Sequence, residues 1–121
     1  MIDQRLRDEV MQMHAQICAG LADSTRILIL YSIAEQPRSV GELAKLLNIP
    51  QPTTSRHLQN LRDRRLVTPT RDGKNVFYSL VDPRIIQALD LLRAVLADGL
   101  SYQGSLAENV DVTQISGGTE Q

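Results

Sequence analysis

Between Gln51 and Arg62 the chain reads Gln-Pro-Thr-Thr-Ser-Arg-His-Leu-Gln-Asn-Leu-Arg, a run in which almost every side chain other than leucine can form hydrogen bonds. At about 100° per residue, Leu58 and Leu61 fall on one side of a helix while Pro52, Arg56, Gln59, Asn60 and Asp63 fall on the other. Gln51, Thr53, Thr54 and Ser55 add hydrogen-bonding groups in the first turn, and Arg62 closes the run. Glutamine and asparagine pair bidentately with adenine, arginine pairs with guanine, and threonine or serine reaches thymine methyls or phosphates, so this set suits the edges of base pairs in a major groove. His57 lies beside that face, where its imidazole meets a phosphate or a neighbouring helix. Any solvated helix is polar outside, so the face acquires meaning only from what flanks it.

The flanks are basic. Arg71 and Lys74 bracket Asp72-Gly73, followed by Asn75, and Arg62, Arg64 and Arg65 cluster where the polar run ends. Cations at such positions reach phosphates or a minor groove and set affinity and salt dependence more than sequence preference.

A second chemistry sits near the N-terminus. His14 and Cys18 are four residues apart and share one side of a helix, with Met11 close by. This pair suits a soft metal ion, and the thiol could also be oxidised, bridge two subunits or take up a persulfide. The plainer reading makes Cys18 a small hydrophobe and His14 an ordinary flanking residue. Cys18 is the only cysteine, which excludes an intrachain disulfide and a CxxC motif. No spacing suggests a nucleophile with its base and no glycine-rich phosphate loop occurs, so the expectation is that the protein is not an enzyme.

The elements that must position these groups follow from periodicity and punctuation. Ile2, Leu6, Val10, Met13, Ile17 and Leu21 recur at steps of three or four and mark an amphipathic first helix. Asp23 and Ser24 cap a second, Thr25 to Glu35, whose Ile27, Leu28, Leu30, Tyr31 and Ile33 predict burial on most sides. Pro37 stops it. Ser39 and Glu42 form a capping box for a third helix to about Leu47, with Leu43, Leu46 and Leu47 as its core face. Asn48-Ile49-Pro50 is a short break before the polar helix, which tolerates Pro52 in its first turn. Val67 to Arg71 and Asn75 to Leu80 are β-prone, with Asp72-Gly73 as the hairpin turn. Asp82 and Pro83 open a last helix with the stripe Ile85, Leu89, Leu92, Leu96 and Leu100. From residue 102 to 121 the composition predicts a flexible tail, leaving residues 1–101 as one domain.

Bulk composition agrees. Apolar residues are 42% and aromatic residues only 3%, so cohesion must come from aliphatic side chains. Apolar runs fall far short of the ~20 residues that span a membrane, and no export signal opens the chain, which predicts a cytoplasmic protein without membrane partners. Net charge is −1, but residues 23–84 hold ten Lys/Arg against six Asp/Glu while both ends are acidic. The predicted architecture is mainly α with a small β-hairpin: a winged helix-turn-helix of five helices and a two-stranded wing.

Ala22-Asp23-Ser24-Thr25-Arg26-Ile27-Leu28-Ile29-Leu30, Gly41-Glu42-Leu43-Ala44, Gln51-Pro52-Thr53-Thr54-Ser55-Arg56-His57-Leu58 and Arg71-Asp72-Gly73-Lys74-Asn75-Val76-Phe77-Tyr78 together resemble the ArsR/SmtB family of repressors, over roughly residues 15–100. The resemblance implies a homodimer built from the first and last helices, here through Leu6, Val10, Met13, Ile17, Ile85, Leu89, Leu92 and Leu96. It also implies an inverted-repeat operator in double-stranded DNA and release by an inducer, often a metal ion. Metal-sensing members carry a cysteine pair in the helix that here reads Ser39 to Lys45, or an Asp/His set on the last helix. This chain has no cysteine in the first place, and Asp90 and Asp98 without histidine in the second. A dimer with two Cys18 side chains falls short of the roughly three or four ligands that arsenite or zinc requires. A thiophilic ion or a thiol modification at Cys18, with His14 beside it, is then the remaining sensor chemistry. The competing expectations are a regulator that binds DNA constitutively without a sensor, and a helical protein-interaction module that binds no DNA.

Overall fold

A computed structural model describes residues 1–109, with side-chain surroundings through Leu100. Helix α1 (Gln4–Met13) starts at Asp3, whose carboxylate accepts the Leu6 amide at 2.9 Å. It runs into a π-helical turn (His14–Cys18), where the Ala19 amide donates to the His14 carbonyl five residues back at 3.0 Å. Helix α2 (Ser24–Glu35) is capped by Asp23, which accepts the Thr25 and Arg26 amides at 2.8 and 3.3 Å. Ser39 and Glu42 close the expected capping box on α3 (Val40–Leu47), with bonds of 3.1 and 2.9 Å.

The break after α3, Asn48 to Pro50, turns on one left-handed residue, Asn48 (φ 57°), a conformation asparagine adopts more readily than most side chains. Helix α4 (Gln51–Asp63) follows with Pro52 in its first turn, where the missing N–H has no partner to lose. Strands β1 (Val67–Asp72) and β2 (Asn75–Leu80) pair antiparallel from Val67–Leu80 to Asp72–Asn75. That register moves the turn one residue on from the expected Asp72-Gly73. The central residues are Gly73 and Lys74, and only Gly73 has positive φ (65°), as a II′ hairpin requires.

The chain divides into two units, Met1–Pro83 and the segment from Arg84 onward. In the first, α2, α3 and α4 pack pairwise, β1 lies on α4, and β2 touches α2 and α3. The core is Ile29, Leu30, Ile33, Leu43, Leu58, Leu61, Leu66 and Val67. Each such aliphatic side chain contributes about 1.5–3 kcal/mol on burial, which holds the polar face of α4 outward by fixing its leucines inward. The link between α2 and α3 also fastens the hairpin, because Arg38 and Tyr78 exchange backbone hydrogen bonds at 3.2 and 2.8 Å. Leu28 and Leu46, expected in the core, are exposed. One apolar side of α2 and α3 is sufficient to fill the space between three short helices.

The second unit is helix α5 (Arg84–Asn109). It extends beyond residue 101, where a tail was expected: Gln103, Leu106, Ala107 and Glu108 are good helix formers, and extending an existing helix is far easier than nucleating one. The rest of the expected tail lies outside the described residues. Leu89 is buried and only 5% exposed within a single chain, whereas Leu91, Leu92, Val95, Leu96 and Leu100 are exposed. Leu89 is one of the residues expected at a dimer face.

Candidate nucleic-acid interface

On α4, Gln51, Pro52, Ser55, Arg56, Gln59 and Arg62 are exposed and Thr53 is half-buried. Arg56 Nη2 donates to Thr53 Oγ1 at 3.3 Å, and Gln59 Nε2 donates to Asp63 Oδ1 at 2.8 Å. Both are solvent-exposed contacts within one helix, worth a few tenths of a kcal/mol, so a hydrogen-bonding partner could displace them at little cost. The hairpin tip presents Arg71, Lys74 and Asn75 to solvent. Lys74 stands at the second central position of the turn and Arg71 one rung down, paired across to Val76. Arg62 and Arg65 are exposed at the far end of α4.

Four residues of the expected set face elsewhere. Thr54 is 0% exposed and its hydroxyl donates to the Pro50 carbonyl at 3.0 Å. Its position four and seven residues before Leu58 and Leu61 puts it on the inward stripe, so it packs and does not read. Asn60 is half-buried, and its Oδ1 accepts from Arg64 Nε at 3.1 Å. Arg64 turns inward, donating through Nη1 to the carbonyls of Ala15 and Gln16. The imidazole Nδ1 of His57 lies 3.4 Å from Arg26 Nη1. A guanidinium can only donate, so that contact requires the tautomer with its proton on Nε2. Of the two roles expected for His57, the structure shows the neighbouring helix.

Arg26 is the residue that sequence reasoning missed. Its Nε donates to the Gly20 carbonyl at 2.8 Å and its Nη2 to the Ala19 carbonyl at 3.2 Å. Main-chain acceptors leave no mark in a sequence, so no spacing could have pointed to it. Close by, burial of the Asp23 carboxylate opposes its ionisation. The Arg26 and Thr25 amides that the carboxylate accepts, then the nearby Arg26 guanidinium, outweigh burial and hold the pKa below the usual carboxylate value.

Of the residues expected in a dimer, Leu6, Val10, Met13, Leu92 and Leu96 are exposed, and Ile17 and Ile85 are half-buried. His14 and Cys18 are exposed on the π-helical turn, the thiol unpaired. Among the described residues no group of three or more His, Cys, Asp or Glu side chains is arranged to hold a metal ion. Two ligands on one turn do not fit a closed metal centre of three or four donors. No helix among the described residues is long and apolar enough to cross a membrane.

Three packed helices, the third with a hydrogen-bonding outer face, followed by a hairpin with a cationic tip, define a winged helix-turn-helix. Residues 23–68 match the family described as "Bacterial regulatory protein, arsR family". The HTH-type transcriptional regulator KmtR of Mycobacterium tuberculosis is 39% identical over 82 residues, which are 68% of this chain and 63% of that protein. This chain thus matches somewhat under two thirds of that relative's length. A probable mercury resistance operon repressor of Streptomyces lividans is 38% identical over 84 residues, covering 69% of this chain and 67% of the repressor. The solution structure of a homodimeric winged helix-turn-helix DNA-binding domain from Mycobacterium bovis, a possible ArsR-family transcriptional regulator, superposes with a TM-score of 0.71. It has 25% identity and covers 84% of this chain and 93% of that one. The chain belongs to the ArsR family of bacterial regulatory proteins.

Proposed function

We propose that the protein is a transcriptional repressor of the ArsR type that acts in the cytoplasm as a homodimer on an inverted-repeat DNA operator. The observation that carries this reading is the outer face of α4. Gln51, Thr53, Ser55, Arg56 and Gln59 form one contiguous hydrogen-bonding surface on a helix whose opposite side is locked into the core. In the major groove Arg56 suits a guanine and Gln59 an adenine. Arg62, Arg65, Arg71 and Lys74 neutralise phosphates on either side, and Asn75 lies with them at the hairpin tip. A two-fold dimer spaces two such helices about one turn of DNA apart, roughly 34–36 Å. The exposed apolar faces of α1 and of α5 give a second copy something to cover.

Release of DNA then requires a signal. Cys18 and His14 are accessible on the π-helical turn, and we propose a thiophilic ion or a thiol modification there as the signal. Cys18→Ser is expected to keep operator binding and to abolish release by thiol reagents; unchanged release removes Cys18 from the mechanism. The primary test enriches duplexes from a random pool with the full chain, then titrates the enriched duplex at two salt concentrations. Log affinity should fall with log salt by about 0.9 for each phosphate neutralised, and Arg56→Ala with Gln59→Ala should relax base preference at defined positions. A protein that enriches no duplex and shows no affinity at low salt is not a DNA-binding repressor.

A further inference from the structure

The end of the first helix is gripped by two arginines. Arg64, just past α4, donates through Nη1 to the carbonyls of Ala15 and, at 3.4 Å, Gln16. In return the Gln16 side-chain amide donates to the Arg64 carbonyl at 3.3 Å. Arg26, in α2, donates to the carbonyls of Ala19 and Gly20 at 3.2 and 2.8 Å. Each guanidinium also holds α4: Arg64 Nε through Asn60 Oδ1 at 3.1 Å, and Arg26 Nη1 against His57 Nδ1 at 3.4 Å. Carbonyls in the last turns of a helix lack partners within it and carry the negative end of its dipole, so planar cations are well matched to them. Gly20 completes the fit. A β-carbon there would come within 2.8 Å of Arg64 Cδ and 3.1 Å of a Leu66 methyl, so the Arg64 stem runs directly over its backbone.

Helix α1 has no buried residue of its own, so this grip at its C-terminal end sets its direction relative to α4. A helix of its length, about 15 Å, moves its tip by nearly 3 Å for a ~10° rotation at the attachment, close to one base-pair rise of ~3.4 Å. We propose that Arg64 is a positioning residue for DNA recognition. It fixes α1, which presents the dimer face, against α4, which reads the groove, and so sets the half-site spacing that the dimer accepts. The proposal rests on the dimeric DNA-binding reading above. Arg64 touches no DNA in this account; it determines where two reading helices stand.

The test uses the full chain and the duplex that the wild type enriches, remade with the arms one base pair closer and one or two further apart, together with a single-arm duplex. Arg64→Gln should lose roughly tenfold or more on the native spacing, the scale of a misplaced base pair, and should discriminate less among spacings. Its single-arm affinity should stay within about twofold of wild type, because the exposed side chains Gln51, Ser55, Arg56 and Gln59 of α4 are unchanged and only the half-buried Asn60 loses a partner. Gly20→Ala displaces the Arg64 stem while leaving its charge, and should flatten the spacing profile in the same way. It decides the matter if Arg64→Gln does not fold. Arg62→Gln, an exposed cation outside the grip, should weaken all duplexes alike. A native spacing profile in Gly20→Ala or in a folded Arg64→Gln, or an Arg64→Gln loss as large on the single arm as on the full site, overturns the proposal. A wild type that enriches no duplex refutes the DNA reading itself, and this proposal with it.

Discussion

Arg65 occupies a conformation that suits glycine. It follows the end of α4 with φ 63°, and around it the Arg65 amide donates to the Arg62 carbonyl and the Leu66 amide to the Leu61 carbonyl, both at 2.9 Å. Helices commonly end this way on glycine, which has no β-carbon to crowd the carbonyl. For an L side chain the left-handed region costs about 1–2 kcal/mol. Arg65→Gly removes that cost but adds ~0.5–1 kcal/mol of unfolded-state entropy, leaving a net stabilisation of about 0.5–1 kcal/mol. For a domain of this size the melting temperature should rise by about 2–8 °C. Operator binding should weaken instead, because two exposed cations leave the dimer, and the slope of log affinity against log salt should become shallower by about 2. Circular-dichroism melts and fluorescence-anisotropy titrations at several salt concentrations measure both. A lower melting temperature would show that the arginine side chain stabilises the fold. An unchanged salt slope would show that Arg65 has no phosphate contact, and either result refutes the claim that strain is kept here for the sake of binding.

Thr54→Val keeps the shape of a buried side chain and removes one hydrogen bond to the Pro50 carbonyl, which retains the Thr54 amide at 3.0 Å. A loss of about 0.5–1.5 kcal/mol in denaturant unfolding is expected, with base preference unchanged; altered preference would return Thr54 to the reading surface. Asp23 gives a pH prediction. Its folded pKa is lowered, so the contribution is present above its unfolded value of ~3.9 and is lost as pH falls through the folded one. Urea midpoints of the wild type should therefore drop at the acid end of a series from neutrality to pH ~3, and Asp23→Asn, which still caps the helix, should drop less. Val10→Asp places a charge on the exposed apolar face of α1 and should shift sedimentation equilibrium towards monomer, with parallel loss of full-site binding. Dimers of unchanged affinity would exclude α1 from the interface.

What was legible in the sequence was what side chains declare about themselves. The caps Asp23 and Ser39, the stop at Pro37, the break at Asn48 to Pro50, and the leucines at Leu43, Leu58 and Leu61 each act within a few residues, and they placed the helices and the hairpin closely. What was illegible depends on main-chain atoms or on distant packing. Arg64 reads as one of several basic residues at a helix end, and only the fold shows the Ala15 and Gln16 carbonyls that take it inward. Asn60 and His57 follow, because their partners are arginines anchored elsewhere. Thr54 is polar by type but inward by phase, and its self-contained bond to Pro50 lets a hydroxyl lie in the core. The π-helical turn left no sign, since the stripe of α1 continues through it.

The net charge of −1 and the cationic reading surface are reconciled by where the acids are engaged. Within the basic middle of the chain, Asp23 caps α2, Glu42 closes the box on Ser39, and Glu35 pairs with Arg38 at 2.8 Å. Asp63 accepts from Gln59 rather than from a cation. Among the described residues, none of Arg56, Arg62, Arg65, Arg71 or Lys74 takes part in an ion pair. A phosphate that meets these groups displaces counterions and water without first breaking a salt bridge, and counterion release is what drives such association. The acids of α1 and its cap, Asp3, Asp8 and Glu9, and of α5, Asp90, Asp98 and Glu108, lie outside the basic segment. At ~0.15 M salt, interactions between exposed charges are largely screened beyond about 8 Å, so a surface is felt by its local charge and not by the sum over the chain.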